Sequence, residues 1–306
     1  MTAYALATFR IGGKVIPVIE VGGRHFDLTQ VAPALIGQDA DRGLMPLFRD
    51  WAAADQTLTA LAGELSGGGK SGEVAKPADP TDILAPLLYP SKVVCTGANY
   101  RDHLTEIGFD QFDKTKARTP FFLKPPSTAV VGSGKSMHAP KGVTMFDWEI
   151  ELTAVIGKTA RHVSVEQALD YVAAYTIGLD LSARDLLLHP HNVSKLDTFG
   201  GKAFDGSCPL GPKLVPSRFV GDPQALQMKL SVNGELKQNG PTSLMIWSVA
   251  EQIAMISSVL TLEPGDVILT GTPAGAAYPH GPFLKAGDRI DAEIEKIGAM
   301  SLEILP

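Results

Sequence analysis

DWEIELTAVIG, residues 147–157, has the period-two alternation of a β-strand. On such a strand Glu149 and Glu151 share one face, while Ile150 and Leu152 share the other. If the acidic face is interior, desolvation and mutual repulsion raise both carboxyl pKa values unless a cation or strong hydrogen-bond donors compensate. A divalent cation does this most directly. The same pattern also suits a half-exposed strand whose solvent face is acidic.

Outward from this stretch, other runs read as strands: KVVCTG (92–97), FFLKP (121–125), QMKLSVNG (227–234), DVILTG (266–271), RIDAEIEKIG (289–298) and MSLEIL (300–305). Asn233-Gly234 is a strong hairpin signal. Two segments carry helix-opening capping-box spacings, Ser164 with Gln167 and Ser248 with Glu251. Many strands, few helices and no regular βα alternation predict an α+β roll of mixed β-sheets instead of a doubly wound sheet. Upstream, ALATFRIGGKVIPVIEVGGRHFDLT (5–29) has β-rich runs broken by Gly12-Gly13 and Gly22-Gly23, the pattern of tight hairpins, and a helical segment is expected around Leu44 to Leu65. Residues 66–80 are rich in Gly, Ser, Pro and Lys, so a boundary is expected there, with a small β-rich N-terminal domain and linker over 1–80 and a larger domain over 81–306. Gly67-Gly68-Gly69-Lys70-Ser71 lacks both the glycine spacing and the strand context of a phosphate loop and reads as linker.

Composition narrows the function classes. The chain has 306 residues, 44% of them hydrophobic, enough for a sizeable core. A net charge of −6 without a Lys/Arg cluster argues against a nucleic-acid partner. No apolar run has the length of a membrane span, Met1 to Arg10 does not resemble a signal peptide, and a cytoplasmic protein is expected. Cys95 and Cys208 have no metal-type spacing and read as buried small hydrophobes.

A third carboxylate strengthens the metal reading. In YTIGLDLSARD (175–185) an apolar strand-like run ends at Asp180, before a polar turn with Arg184. Three carboxylates suit a hard ion, Mg²⁺ foremost, with Mn²⁺ or Ca²⁺ as alternatives. His189 and His191 are a softer pair that an ordinary polar loop also explains.

NYRDHLTEIG, FFLKPP, DWEIELTAVIG, GLDLSARD, GGKAFDGSCPLGP, VNGE and VILTGTPAG occur in this order. Over roughly residues 90–305 the chain resembles the fumarylacetoacetate hydrolase family. The resemblance implies that family's roll, Glu149, Glu151 and Asp180 as metal ligands, and a homodimer. It also points to His103 and Glu106 as a catalytic pair, Lys202 as the active-site lysine and Arg184 as the arginine near the metal-binding aspartate. Lys124 and Thr272 are further substrate-binding candidates. A spacing of three sets His103 and Glu106 on one face of a helical turn, in a charged segment (100–118) expected to act as a lid. Many relatives carry glutamine where this chain has Leu187, and segment 188–201 matches no family pattern.

The expected substrate is a small 2-oxo acid. Breaking a C–C bond beside such an acid leaves a carbanion that needs an electron sink, and the expected reaction is hydrolysis of an acylpyruvate. Decarboxylation of an oxaloacetate-like acid, isomerisation of an unsaturated 2-oxo diacid, and metabolite binding without catalysis are the alternatives.

Overall fold

Three sheets carry the chain in the computed structural model, which describes residues 2–68, 71–109 and 113–306. Gly69 and Lys70, from the glycine-lysine tract, and residues 110–112 of the expected lid lie outside the described residues.

The largest sheet has eleven strands. Its centre is Ile150–Ile156, flanked antiparallel by Val172–Leu179 and by Val267–Leu269. Beyond Val267–Leu269 come Val93–Thr96, in parallel, and the edge strand Phe121–Lys124. On the other side Cys208–Pro216 joins Val172–Leu179. The N-terminal strands continue this sheet, because Ala5–Ile11 meets Cys208–Pro216 at the pair Leu6 and Leu214. A second sheet of five strands contains the hairpin Gln227–Val232 and Glu235–Pro241. Phe146–Asp147 and Ser182–Ala183 form a small third sheet beside the acidic residues.

Mixed sheets with few helices are the expected α+β roll. The turns follow their residues: Gly12, Gly13, Gly22 and Gly23 all have positive φ, as do Asn233 and Gly234, so each pair makes the left-handed two-residue turn that suits a twisted hairpin.

Ile150–Ile156 is buried on both faces. Ile150, Leu152, Ala154 and Ile156 enter a core shared with the five-stranded sheet and the helix Val249–Val259. Val155, on the opposite face, enters the core covered by the helix Trp51–Ser66. Cys95 and Cys208 are buried in that second core.

Local readings needed three corrections. The helix expected from Leu44 starts at Trp51, because Pro46 lies in a short 3-10 turn (Met45–Arg49) and the Asp50 side chain caps a new start by accepting the Ala53 N–H. Only Ser248 and Glu251 form a capping box. After Ser164 the chain makes 3-10 turns (Val165–Tyr171), and the Ser164 hydroxyl turns to the Glu166 carboxylate instead of the backbone. The strand Cys208–Pro216 went unread because it contains three prolines; a register shift opposite Tyr175–Ile177 accommodates the backbone there.

Among the described residues no helix is long and apolar enough to cross a membrane.

Candidate metal centre

The sheet brings the three acids together. Glu151 lies on Ile150–Ile156, whereas Glu149 stands one residue before that strand, although the expected strand, 147–157, held both. Pairing nevertheless carries past the strand end, since the Asp180 N–H donates to the Glu149 carbonyl at 2.9 Å. One carboxylate oxygen from each of Glu149, Glu151 and Asp180 lies within 4.8 Å of the others, and all three residues are buried. Among the described residues this is the only group of three metal-capable side chains. The His189 and His191 rings are 5.3 Å apart on an exposed loop and belong to no such group.

Cations surround the acids. The Lys202 ammonium, at the end of the helix Thr198–Lys202, donates to Glu149 Oε2 at 2.7 Å and to Asp180 Oδ2 at 2.6 Å. Helix entry at this depth depends on Gly201, where a Cβ would fall 2.3 Å from that of Leu187. The Arg184 guanidinium binds Asp147 Oδ2 through Nε at 2.8 Å and Glu149 Oε1 through Nη2, beneath the Tyr278 ring. Lys124, wholly buried, donates to the Ser207 carbonyl at 2.8 Å and the Leu181 carbonyl at 3.2 Å, with its Nζ 2.6 Å from Asp180 Oδ1.

Four carboxylates therefore meet three cations, and the excess negative charge falls on Glu151. Burial, reinforced by Asp180 and Glu149, pushes the Glu151 carboxyl well above the usual range, although it accepts the Gly271 N–H at 2.6 Å. Burial acts on Glu149 in the same sense, but Arg184, Lys202 and His103 outweigh it and hold that carboxyl low. Asp180 Oδ1 is buried without a hydrogen bond, since Lys124 approaches it off the direction such a bond needs. A divalent cation would relieve both the Glu151 charge and this orphaned lone pair. The all-oxygen donor set suits a hard ion.

His103 and Glu106 lie on the helix Arg101–Glu106, with His103 Nδ1 3.0 Å from Glu106 Oε2. Glu106 Oε1 accepts the Gly275 N–H at 3.0 Å, so both carboxylate oxygens are held. A carboxylate on Nδ1 makes that nitrogen the protonated one and leaves the Nε2 lone pair as a base. The helix is seated by Leu104 against Ile246 and Trp247, and Lys114 pairs with Glu251 at 2.6 Å. Asn99 brackets the Trp247 backbone, accepting its N–H and donating to its carbonyl.

The Thr272 hydroxyl donates to the Ile150 carbonyl and accepts from Gln238 Nε2, both at 2.8 Å. Its loop instead offers peptide N–H groups to acids: Gly271 to Glu151, Gly275 to Glu106, and Ala277 and Tyr278 to Asp147. Sequence reasoning missed Asp147, Gln238 and Asn99. The alternation that aligned Glu149 with Glu151 also extends back to Asp147, a signal that could have found it. A cleft of about 860 Å³ bordered by Tyr89, Val131, Lys135 and Phe204 involves none of the three acids.

Residues 92–304 match the family model described as fumarylacetoacetate (FAA) hydrolase C-terminal. Oxaloacetate tautomerase YisK of Bacillus subtilis is 42% identical over 224 residues, 72% of each chain. A fumarylpyruvate hydrolase from Pseudomonas aeruginosa, solved with Mn²⁺ and pyruvate, is 36% identical with a TM-score of 0.62, covering 70% of this chain and 89% of its own. A maleylpyruvate hydrolase from Sphingobium, solved with manganese(II) and pyruvate, is 30% identical with a TM-score of 0.74, covering 98% of both chains. The chain belongs to the fumarylacetoacetate hydrolase family.

Proposed function

We propose that this protein is a divalent-metal-dependent hydrolase that cleaves the C–C bond of an acylpyruvate-type 2,4-dioxo acid, with Glu149, Glu151 and Asp180 holding Mg²⁺ or Mn²⁺. The observation that carries this reading is the meeting of three buried acids, one with an orphaned lone pair, beside an imidazole whose Nδ1 is held by Glu106. When bound, the ion supplies a Lewis acid for the substrate's keto and carboxylate oxygens.

His103 Nε2 takes a proton from water as its oxygen attacks the distal carbonyl, and Glu106 stabilises the imidazolium. The C–C bond then breaks, and the same proton passes from His103 to the departing carbon, leaving a carboxylic acid and pyruvate. Lys202, kept protonated by Asp180 and Glu149 against the effect of burial, offsets negative charge at the centre. Lys124 and Arg184 act as positioning groups for Asp180 and Glu149. The protein works as a homodimer in the cytoplasm.

The second reading is tautomerisation of oxaloacetate, favoured by the similarity to the B. subtilis tautomerase. It uses the same base to move a proton without consuming water. A panel of acylpyruvates and oxaloacetate, assayed with Mg²⁺ and Mn²⁺, separates these chemistries. Pyruvate with a new carboxylic acid means hydrolase, keto–enol interconversion alone means tautomerase, and carbon dioxide means decarboxylase. Absence of pyruvate release from every acylpyruvate overturns the hydrolase reading.

A further inference from the structure

Asp147 is fully buried and touches no expected ligand of the centre, yet it accepts four hydrogen bonds. Oδ1 takes the Trp148 N–H at 2.8 Å and the Ala277 N–H at 2.7 Å. Oδ2 takes the Tyr278 N–H at 3.1 Å and Arg184 Nε at 2.8 Å. Arg184 in turn spends another nitrogen on Glu149 Oε1, and the Tyr278 ring covers its guanidinium with the centroid 5.5 Å from Cζ. The guanidinium is thus a planar fork with one prong on each acid.

We infer that Asp147 is the positioning residue of the metal centre: by holding Arg184 through Nε it sets the direction in which the guanidinium meets Glu149, and so orients that carboxylate toward the other two acids. The inference rests on the proposed metal site. It requires a carboxylate at 147. An asparagine has one acceptor oxygen, and whichever way its amide turns, its NH₂ faces either two peptide N–H groups or a peptide N–H and the arginine. Arg184 released from Asp147 can turn both prongs onto Glu149, drawing a ligand away from the ion.

Mn²⁺ binding to the full chain, measured by titration calorimetry and by the spin-resonance signal of free Mn²⁺, tests this without recourse to turnover. Asp147→Asn should weaken Mn²⁺ binding roughly 10–100-fold, as loss of a partner that orients a ligand does elsewhere. Arg184→Lys, whose single nitrogen cannot serve both acids, should weaken it comparably, and the double variant should be no worse than the weaker single. A folded Asp147→Asn protein within about twofold of wild type overturns the inference, as does a double variant whose losses multiply. Should Asp147→Asn not fold, Arg184→Lys decides, and unchanged Mn²⁺ affinity there overturns it. Wild-type protein that takes up no Mn²⁺ overturns the proposed function itself, which distinguishes that failure from this one.

Discussion

Replacing Lys124 by methionine separates two roles for a lysine that the sequence places among the substrate-binding candidates. Its side chain is fully buried, and its ammonium lies 2.6 Å from Asp180 and within hydrogen-bond reach of two carbonyls. Removing one partner of a buried ion pair costs about 3–5 kcal/mol. Asp180 keeps Lys202 at 2.6 Å, which favours the low end, while two carbonyls lose a donor worth roughly 1 kcal/mol each. The methionine stem replaces most of the lost volume. A destabilisation of about 5 kcal/mol follows. For 306 residues the unfolding entropy is roughly 0.6 kcal/mol per degree, so the melting temperature should fall by about 8 °C. The assay is thermal unfolding with and without Mn²⁺, alongside steady-state kinetics. The fall should shrink when Mn²⁺ supplies the missing positive charge beside Asp180. A melting shift below about 1 °C combined with a KM raised tenfold or more would refute this reasoning and make Lys124 a substrate ligand.

His103→Ala should lower turnover roughly 10²–10⁴-fold while calorimetry shows Mn²⁺ affinity unchanged, because the base is not among the three acids. Gly275→Ala places a Cβ 2.0 Å from the Lys237 carbonyl at a φ of 99°, so at least about 3 kcal/mol should be lost in denaturant unfolding as the peptide anchoring Glu106 is displaced. Glu20 has its carboxyl pKa lowered from 4.5 to about 2 by His25 and Lys213 against the opposing effect of burial. Its contribution is therefore complete above pH 4.5 and disappears as the pH falls toward 2. After solvent screening, Glu20→Gln should cost about 1 kcal/mol at neutral pH, and denaturation curves of variant and wild type should converge in acid.

Features encoded by neighbouring residues were legible. Paired glycines, Asn233-Gly234 and the Ser248–Glu251 spacing each specify a local backbone path, and the folded chain takes it. The alternation in DWEIELTAVIG placed two acids together even though Glu149 stands outside the strand, because pairing with the neighbouring strand continues to Glu149, whose carbonyl accepts the Asp180 N–H. Other features depend on partners far along the chain. Gln238 reaches across from the hairpin to Ile150, Thr272 and Pro273, and nothing around it in sequence marks it as more than a surface amide. Lys124 and Arg184 were visible as positive charges, and Glu149 and Asp180 as acids, but which cation meets which acid was not, so both cations stood among the substrate-binding candidates. Only the fold shows those charges already engaged. Cys208–Pro216 was hidden by its prolines, whose missing N–H groups matter little where the ladder is already shifted.

The strand Ile150–Ile156 divides its side chains between hydrocarbon and the acidic nest, and this constrains how the sheet can assemble. A slip of one residue would thrust Glu151 into the oil now filled by Leu152 and send Leu152 among carboxylates and ammonium groups. Mispairing of these central strands is thus penalised by the same charges that gather in the acidic nest, and that nest doubles as a proofreader of the fold.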